Sequence, residues 1–423
     1  MSDILLAAII TAPAYLIPAV VELKRRGLGA STFFFFYTLL GSWLYSLLLG
    51  LNFLPAHRTI APWIVDVRDI PWYAFSIINI TIFLIQSNKK GIPTQPKQAL
   101  PKSVFRLAVA TLLLTLFYIV VSIALKGGLS GWITKSYTRV ATDNSLINYL
   151  FPLPTFTLVS TVVQYSILRR VALSTQSKTL IYTNCLLQLL IALAAGGRSV
   201  LLLYVISLVV AHGKPKIPKW LLYSSLAIAI VSTSGSMIYL RYKNQSAQAT
   251  FDYSLINVVD ASYTGLPFID HFQLTREFVQ EYGFDYGQSY ANLITLPIPR
   301  SIWEEKPLQV SRVFREAYWG DSSGGIPPGL FGESYLAVGW AGVMFVSLAY
   351  GVILRKIGLR YRISSNDSFQ VATIATLGSA IGFVLIRGGL DIGVYRVGLI
   401  IASLLICQKI AFEKTPHEKT KAQ

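Results

Sequence analysis

The sequence predicts an all-α, polytopic integral membrane protein with about eleven transmembrane helices. Of its 423 residues, 53% are hydrophobic and only 13% are charged, whereas about a quarter of the residues in a soluble protein are charged. The mean hydropathy is correspondingly high, at +0.53. Apolar runs of about twenty residues, the length that crosses about 30 Å of hydrocarbon as a helix, recur along the chain.

Measured against this length, the apolar runs predict eleven spans. They are residues 4–21, 31–53, 72–86, 104–125, 150–168, 179–195, 200–211, 220–240, 329–354, 369–386 and 391–407. The sixth and seventh runs can alternatively form one hairpin whose tip dips into the membrane. A proline-rich linker at 89–102 is compatible with a separate N-terminal helical group, but the prediction is a single membrane domain over 1–423.

Clusters of lysine and arginine fall on alternate connections, and the positive-inside rule assigns these connections to the cytoplasm. The clusters lie at 24–26, 89–102, 169–178, 214–219 and 355–362 and after Lys409. The N-terminus is then outside and the C-terminus inside. Residues 241–328, between the eighth and ninth spans, become one large extracytoplasmic loop with ten of the chain's twenty acidic residues and only seven of its thirty-seven basic ones.

Within this loop, residues 255–282 interleave charged and apolar side chains. Asp270, Arg276 and Glu277 alternate with Phe272 and Phe278. This spacing predicts one or two amphipathic helices on the membrane surface or over a cavity.

Composition and motifs exclude several classes of function. The net charge of +17 comes from short clusters between apolar runs, so nucleic-acid binding is not expected. Cys185 and Cys407 are isolated, and the four histidines are scattered singly, so neither a disulfide framework nor a metal site is predicted. Without a nucleotide-binding motif, an enzyme here would use a substrate that is already activated and lipid-bound.

Three arginines lie near the predicted outer ends of spans. Arg198 is placed at or slightly below the outer face, where it either snorkels or binds an anion or a buried carboxylate. Arg387 follows the tenth span. Arg396 lies about 10 Å beneath the outer surface, where it requires a wet cavity, an anionic ligand, or an ion pair with Asp391 or Glu333.

Glu333 opens the ninth predicted span at its outer end. A carboxylate among apolar and cationic neighbours can act as a general base. It can equally be a structural acid that the dipole of its own helix stabilises. Gly332, Gly339 and Gly342 fall on one face of that predicted helix, which favours close packing against another helix.

Residues 297–307 form a segment rich in charge, aromatic rings and proline. Arg300, Trp303 and Lys306 recur every three residues, which on a short helix places two cations and an indole on one side. Such a surface suits a phosphate and a sugar ring, or a basic and aromatic belt at lipid headgroups.

These residues resemble those of the bacterial oligosaccharide repeat-unit polymerases, the Wzy type that polymerises O-antigen and related capsular or exopolysaccharide units. The resemblance rests on Pro-Arg-x-x-Trp-x-x-Lys-Pro at 299–307, Gly-Glu-Ser-Tyr at 332–335 with Gly339 and Gly342 beyond it, Gly-Arg-Ser at 197–199 and Arg-Gly at 387–388. It extends over the whole hydrophobic layout, including the large outer loop before the last three spans.

The resemblance implies a GT-C-like membrane glycosyltransferase whose active site faces the periplasm from the inner membrane. The growing chain would be transferred, with inversion, from its undecaprenyl diphosphate to a hydroxyl of a new lipid-linked unit. The expected partners are this lipid-linked oligosaccharide and membrane lipid, with a chain-length regulator protein as a further candidate. No metal or other cofactor is expected.

The implied reaction needs fixed cations for the leaving diphosphate and a base for the acceptor hydroxyl. The expected diphosphate contacts are Arg198, Arg300, Lys306, Arg387 and Arg396. Glu333 is the first candidate base, with Asp391 and Asp270 behind it. Trp303 and Tyr335 are expected to stack on sugar faces.

Three other functions share these features. A lipid-linked oligosaccharide flippase would bind the same diphosphate, although transporters usually carry internal repeats and polar residues at the membrane midplane. An O-antigen ligase would transfer the finished chain to a lipid core by similar chemistry, and sequence separates it poorly from a polymerase. A non-catalytic subunit of a polysaccharide export complex is the third alternative.

Overall fold

The computed structural model describes residues 2–26, 30–51, 69–85, 99–132, 152–194, 198–212, 269–295, 298, 302–303, 305–320, 325–360, 367–385, 388 and 390–412. These residues are almost entirely helical. The β structure among them is an isolated bridge between Ala99 and Phe412. The all-helical class predicted from composition is therefore confirmed for the described part of the chain.

The helices are numbered here in chain order. The first eight are α1 Ser2–Arg26, α2 Ala30–Thr38, α3 Tyr45–Gly50, α4 Asp69–Ile85, α5 Pro101–Leu125, α6 Pro152–Leu168, α7 Thr175–Ala194 and α8 Arg198–His212. The remainder are α9 Ile269–Tyr282, α10 Gln288–Thr295, α11 Val310–Trp319, α12 Gly329–Val338, α13 Trp340–Arg360, α14 Ser368–Thr373 and α15 Leu390–Ala411. Wider π-helical turns occupy Leu39–Leu44, Ile374–Gly378 and Ala380–Leu385.

Five of the described helices contain segments long and apolar enough to cross a membrane. These segments are Asp3–Glu22, Pro101–Leu125, Thr175–Ala194, Trp340–Ile357 and Gly393–Ala411. Helical segments coincide with ten of the eleven predicted spans, and the eighth, 220–240, lies outside the described residues. The count of eleven stays a prediction.

The predicted ninth span, 329–354, is wrong as a single helix. The chain forms α12 and α13 there, separated at Gly339, whose φ of +67° suits glycine because it lacks a Cβ. The Gly339 N–H donates to the Tyr335 carbonyl at 2.7 Å and ends α12. Gly339 therefore turns the chain and does not share a continuous helix face with Gly332 and Gly342.

The helices form two compact units. The first unit comprises residues 1–89, 227–358 and 380–395, and in it α1 packs against α2, α3 and α4. The Trp43 indole N–H donates to the Ala8 carbonyl at 2.9 Å, and the Ser31 hydroxyl donates to the buried Glu22 carboxylate at 2.7 Å. The Trp43 indole and the Glu22 carboxylate are thus satisfied within the protein, as a membrane requires.

An aromatic cluster joins α4, α9, α12 and α13 in this unit. The Phe272 ring of α9 lies 6.1 Å from that of Tyr73, 5.5 Å from Tyr335 and 5.3 Å from Trp340, measured between ring centroids. Trp72 stacks on Trp340 at 4.8 Å. Aromatic pairs at these distances add to the stabilisation from burying their surface, so the cluster holds α9 against α12.

The loop segment 255–282 contains an amphipathic helix, as predicted, from Ile269 onwards, while 255–268 lie outside the described residues. This helix, α9, does not lie alone on a surface. It shares a small hydrophobic core with α11 and α12, made of Leu274, Val279, Val310, Phe314 and Leu336.

The second unit comprises residues 90–226, 359–379 and 396–423. A buried hydrogen-bond network joins α5, α6 and α7. The Gln164 amide donates to the hydroxyls of Thr111 at 2.8 Å and Ser160 at 3.0 Å, and it accepts from the Asn184 amide at 3.0 Å. The apolar periodicity of these helices does not reveal this network, because its members are single polar residues within apolar runs.

Arg170 belongs to one of the basic clusters assigned to the cytoplasm. Its guanidinium donates to the carbonyls of Ser166 and Ala211, both at 3.1 Å. These carbonyls lie near the C-terminal ends of α6 and α8, where helices leave acceptors unpaired. Arg170 therefore ties two helix ends together within the second unit.

Candidate functional site

Glu333 is buried inside the first unit. It is the fifth residue of α12 and is only 2% exposed. Its Oε2 accepts a hydrogen bond from the backbone N–H of Leu390, the first residue of α15. Because the first N–H groups of a helix carry partial positive charge, this position stabilises a carboxylate. Glu333 thus lies at the N-terminus of a different helix, rather than acting only as an N-terminal acid of its own.

Close packing fixes the position of α12. A Cβ added to Gly332 would lie 2.9 Å from the Thr275 hydroxyl oxygen of α9. A Cβ added to Gly342 would collide with the Ser334 carbonyl of α12. A side chain at either glycine would displace α12 and, with it, the Glu333 carboxylate.

An apolar groove of about 370 Å³ lies beside α12. Its lining residues come from α10, α12, α13 and the start of α15, and they are Tyr290, Leu293, Ser334, Ala337, Val338, Ala341, Gly342, Phe345, Val346 and Leu390. Leu390 contributes both to the groove and to the hydrogen bond with Glu333. A groove with so few polar groups suits an aliphatic chain.

Tyr290 of α10 connects the groove with two acidic groups. Burial raises the pKa of its hydroxyl, and the negative charges of Glu333 and then Asp285 raise it further. The hydroxyl therefore stays protonated beside the Glu333 carboxylate and can donate to an oxygen of a bound ligand. Tyr290 and Ser334 carry the polar side-chain groups among the residues that line the groove, and Glu333 is the residue directly before Ser334.

The other two candidate acids lie in helices, but the structure describes only their backbone. Asp270 is the second residue of α9, and Asp391 is the second residue of α15, directly after Leu390. The chain order of Leu390 and Asp391 brings the Asp391 backbone next to the N–H group that binds Glu333. No comparable link joins Asp270 to Glu333 among the described residues.

The candidate cations are only partly described. Arg300 and Arg387 lie outside the described residues, and Arg198 is described by its backbone as the first residue of α8. Arg396 is half-buried in α15, six residues after Leu390, and belongs to the second unit. A cluster of these arginines around one diphosphate therefore stays a prediction.

Trp303 and Lys306 do not lie on a helix, the arrangement that would place them with Arg300 on one side. Trp303 and Lys306 lie in a turn in which the Lys306 N–H donates to the Trp303 carbonyl at 3.2 Å. The Lys306 ammonium donates to the Ile298 carbonyl at 2.9 Å, while the Trp303 ring is exposed. The prediction of a cationic and aromatic face on a helix is therefore wrong for these two residues.

Tyr335 is half-buried in the aromatic cluster, 5.2 Å from Trp340 and 6.1 Å from Phe284 between ring centroids. Two positions separate it from Glu333, so the two side chains leave α12 about 200° apart. The structure thus places Tyr335 and Glu333 on different sides of one helix. Stacking of Tyr335 on a sugar stays a prediction.

Sequence reasoning missed Leu390, Tyr290 and Asp285 as parts of this region. Leu390 contributes through its backbone N–H, which no side-chain motif reveals. Asp285 had a local signal, because an aspartate between Gly283 and Gly287 is typical of a turn. Its side chain accepts from the Gly287 N–H at 2.9 Å and the Ser289 N–H at 3.0 Å, so it starts α10.

A comparison with known protein families identifies the class of protein to which the chain belongs. The family model for O-antigen polysaccharide polymerase Wzy matches residues 70–414, a range that includes every candidate site residue. The chain belongs to the Wzy polymerase family. Neither a curated protein nor a solved structure matches it.

Membership of the Wzy family makes the chain a membrane enzyme of the glycosyltransferase type that polymerises O-antigen repeat units. Its substrate is a lipid-linked oligosaccharide, and its setting is a membrane. An apolar groove beside a buried carboxylate is consistent with both parts of such a substrate. Within its first unit, this Wzy protein therefore has an apolar groove and a buried carboxylate close to it.

Proposed function

We propose that this chain polymerises undecaprenyl-diphosphate-linked repeat units at the outer leaflet of the bacterial inner membrane, with Glu333 as the catalytic base. The proposal rests on one observation: the buried Glu333 carboxylate is held by the N-terminus of α15 immediately beside the apolar groove. A lipid chain in that groove would bring the sugar that it carries near Glu333.

The proposed reaction is a single displacement with inversion. Glu333 accepts the proton of the acceptor hydroxyl as its oxygen attacks the anomeric carbon of the growing chain. The bond between that carbon and the diphosphate oxygen breaks, and undecaprenyl diphosphate leaves with the bonding electrons. Asp391 and Asp270 are the alternative bases, and Asp391 is favoured over Asp270 because it follows Leu390 directly.

Fixed cations would stabilise the leaving diphosphate, because negative charge builds on its oxygens as the bond breaks. We assign this role to Arg198, Arg300, Lys306, Arg387 and Arg396, the proposed diphosphate clamp. Guanidinium groups bind phosphate with two hydrogen bonds and keep their charge when buried. Each contact would contribute about 1.5 to 3 kcal/mol, and together they would allow the reaction to proceed without a metal ion.

The test is polymerisation by purified protein in nanodiscs with a lipid-diphosphate repeat unit as the sole substrate. We expect ladders of increasing length without added nucleotide or metal, and we expect Glu333→Gln and Arg300→Ala to abolish them. Ladders of normal length from the Glu333→Gln protein would remove the base assignment.

A matched control is available in the same unit. Glu22 is also a buried glutamate that accepts a hydrogen bond, from the Ser31 hydroxyl at 2.7 Å, but it lies at the predicted cytoplasmic end of α1. Glu22→Gln should leave the ladders unchanged. Lipid translocation without elongation would identify a flippase, and transfer only to a lipid core would identify a ligase.

A further inference from the structure

Residues 282–287, called here the aromatic turn, connect α9 to α10 and are anchored on α12. The Asp285 N–H donates to the Leu336 carbonyl at 3.0 Å. The Asp285 carboxylate accepts from two N–H groups of the following residues, Gly287 and Ser289. These bonds fix the turn to the helix that carries Glu333.

Tyr286 has a backbone conformation that is unfavourable for tyrosine. Its φ is +50°, and it is the non-glycine residue with positive φ among the described residues. Gly283 and Gly287, at φ +84° and +87°, flank it in the same turn. Because a Cβ is strained in this region, glycine is the residue that the local backbone favours at position 286.

The fold gains little packing from the Tyr286 side chain. The side chain is 81% exposed, and its ring meets Phe284 edge-on at 6.4 Å between centroids. Residues held in such strained backbone conformations cluster at active sites and ligand-binding segments. Tyr286 is therefore a candidate binding residue rather than a stabilising one.

Tyr286 belongs to a larger aromatic surface. Tyr282 is 57% exposed and Phe284 is 40% exposed. The Phe284 ring lies 6.1 Å from that of Tyr335 on α12 and would lie 3.3 Å from a Cβ at Gly339. The exposed rings are thus continuous with α12, whose other side carries Glu333.

Two carboxylates lie at these rings. Glu281 binds the Tyr282 hydroxyl and raises its pKa, and Asp285 lies within the turn. Carboxylates repel a diphosphate or an anionic lipid headgroup, but they accept hydrogen bonds from neutral hydroxyl groups. A sugar ring offers such hydroxyls together with an apolar face that packs on an aromatic ring.

We propose that the aromatic turn binds a sugar ring of the oligosaccharide, with Tyr286 as the main platform, at a distance from the reacting bond. The identity of this ligand as the repeat unit rests on the proposed function. The turn would hold the repeat unit while its lipid chain occupies the groove and its reacting end lies near Glu333.

The test measures binding without turnover. The probe is the free oligosaccharide released by mild acid from the lipid-linked pool of the source cells, bound to protein in nanodiscs of phosphatidylglycerol and phosphatidylethanolamine in equal parts. We expect Tyr286→Ala to weaken binding about tenfold, and Tyr286→Phe or Tyr286→Trp to keep it within about threefold. A change of less than about threefold for Tyr286→Ala would overturn the proposal.

Ile294→Ala is the matched control, because Ile294 is an exposed apolar residue of the next helix, at 83% exposure. The Ile294→Ala protein should bind the oligosaccharide as tightly as the wild type. An equal loss of affinity in the Ile294→Ala and Tyr286→Ala proteins would overturn the specific role of Tyr286. Oligosaccharide binding that depends on Tyr286 but occurs without ladders would refute the proposed polymerisation and leave the aromatic turn as a sugar site.

A second measurement distinguishes a sugar platform from a membrane anchor. A spin label at Tyr286→Cys, in a background with Cys185→Ala and Cys407→Ala, should be accessible to a water-soluble relaxation reagent and become protected when the oligosaccharide is added. Relaxation by lipid-dissolved oxygen that the oligosaccharide does not change would place residue 286 in the bilayer and overturn the proposal.

Discussion

Glu333 has a structural contact that is separable from its proposed chemistry. Its carboxylate accepts the Leu390 N–H at the start of α15, and a glutamine in its place retains an acceptor but cannot take a proton. A leucine retains neither. Comparing the two substitutions therefore separates the contribution of the hydrogen bond to stability from the role of the carboxylate as a base.

We expect Glu333→Gln to lower the free energy of unfolding by about 0.3 to 1 kcal/mol, through loss of the interaction between charge and helix dipole. Glu333→Leu should lower it by about 1 to 3 kcal/mol more, because a buried N–H loses its acceptor. Denaturant titration in detergent, followed by circular dichroism, measures both. Equal stability of the two variants would contradict the importance of the hydrogen bond.

For Tyr286 the expected effect on stability is the opposite of that for Glu333: removing its side chain should remove a ligand contact without destabilising the fold. Tyr286→Gly should leave the free energy of unfolding unchanged or raise it by up to about 1 kcal/mol. Relief of the strain at φ +50° stabilises the folded state, and this gain is partly or fully offset because glycine gives the unfolded chain more entropy. Thermal unfolding of the purified protein measures it. A clear loss of stability would show that the exposed ring packs more strongly than its contacts indicate.

Gly287→Ala is the control for that measurement, since it introduces strain at a neighbouring position with φ +87°. It should lower the free energy of unfolding by about 1 to 2 kcal/mol.

Among whole elements, the close approach of α12 to α9 decides where Glu333 lies. Gly332 leaves room for Thr275 of α9, and a methyl group there would sit 2.9 Å from its hydroxyl oxygen. The backbone at Gly332 is helical, so the cost of a side chain would come from close contacts with Thr275 and with Pro328, whose Cβ would also lie at 2.9 Å, and not from the local conformation.

We therefore expect Gly332→Ala to lower the free energy of unfolding by about 1 to 3 kcal/mol and to reduce polymerisation. Gly398→Ala in α15 is the control, because a Cβ at Gly398 meets nothing within 4 Å. It should be neutral or stabilise by about 0.5 to 1 kcal/mol, as alanine favours a helix. Unfolding in detergent compares the two, and equal effects would refute the steric argument.

The polar network of α5, α6 and α7 is a second feature of whole elements. Gln164 bonds to Thr111 and Asn184 on the two neighbouring helices. Gln164→Leu should cost about 1 to 3 kcal/mol, because several interhelical hydrogen bonds are lost at once. Combination with Asn184→Leu should reveal a coupling energy of about 0.5 to 2 kcal/mol.

Gln176→Leu provides the control for the network, since Gln176 is an exposed glutamine at the start of α7. Its effect on stability should be small. Additive effects of Gln164→Leu and Asn184→Leu would show that the two amides do not stabilise each other.

For the whole molecule, the predicted orientation places α9 outside the cell and the end of α13 inside. Gln280 and Lys356 are exposed residues of these two helices. A membrane-impermeant maleimide should label Gln280→Cys in intact spheroplasts, and should label Lys356→Cys only after the membrane is opened. Both variants need the Cys185→Ala and Cys407→Ala background, and the reverse pattern would invert the orientation.

Much of the helical content was predictable because it depends on local properties. The apolar runs at 104–125 and 179–195 coincide with α5 and α7, which are long and apolar enough to cross a membrane. The break at Gly339 was not predicted, because the residues on both sides are apolar and continue a helical pattern. The turn at Trp303 and Lys306 was missed because a spacing of three does not by itself require a helix.

The candidate site was predictable only as a set of residue types. Charge and position along the chain singled out Glu333, but its partner is a backbone N–H 57 residues away, which carries no signal in the side chains. Tyr286 was missed because its backbone strain exists only once Asp285 and the two glycines have closed the turn.

The sequence by itself determined a helical membrane protein, the approximate limits of most helices and the family, because hydrophobic length and local motifs are properties of neighbouring residues. Only the tertiary structure decided that α12 ends at Gly339, that its glutamate meets the start of α15 beside an apolar groove, and that an exposed tyrosine is held in a strained turn. The contact between Glu333 and the start of α15 joins residues 57 positions apart, and the conformations at Gly339 and Tyr286 exist only in the folded backbone, so packing rather than composition decides them.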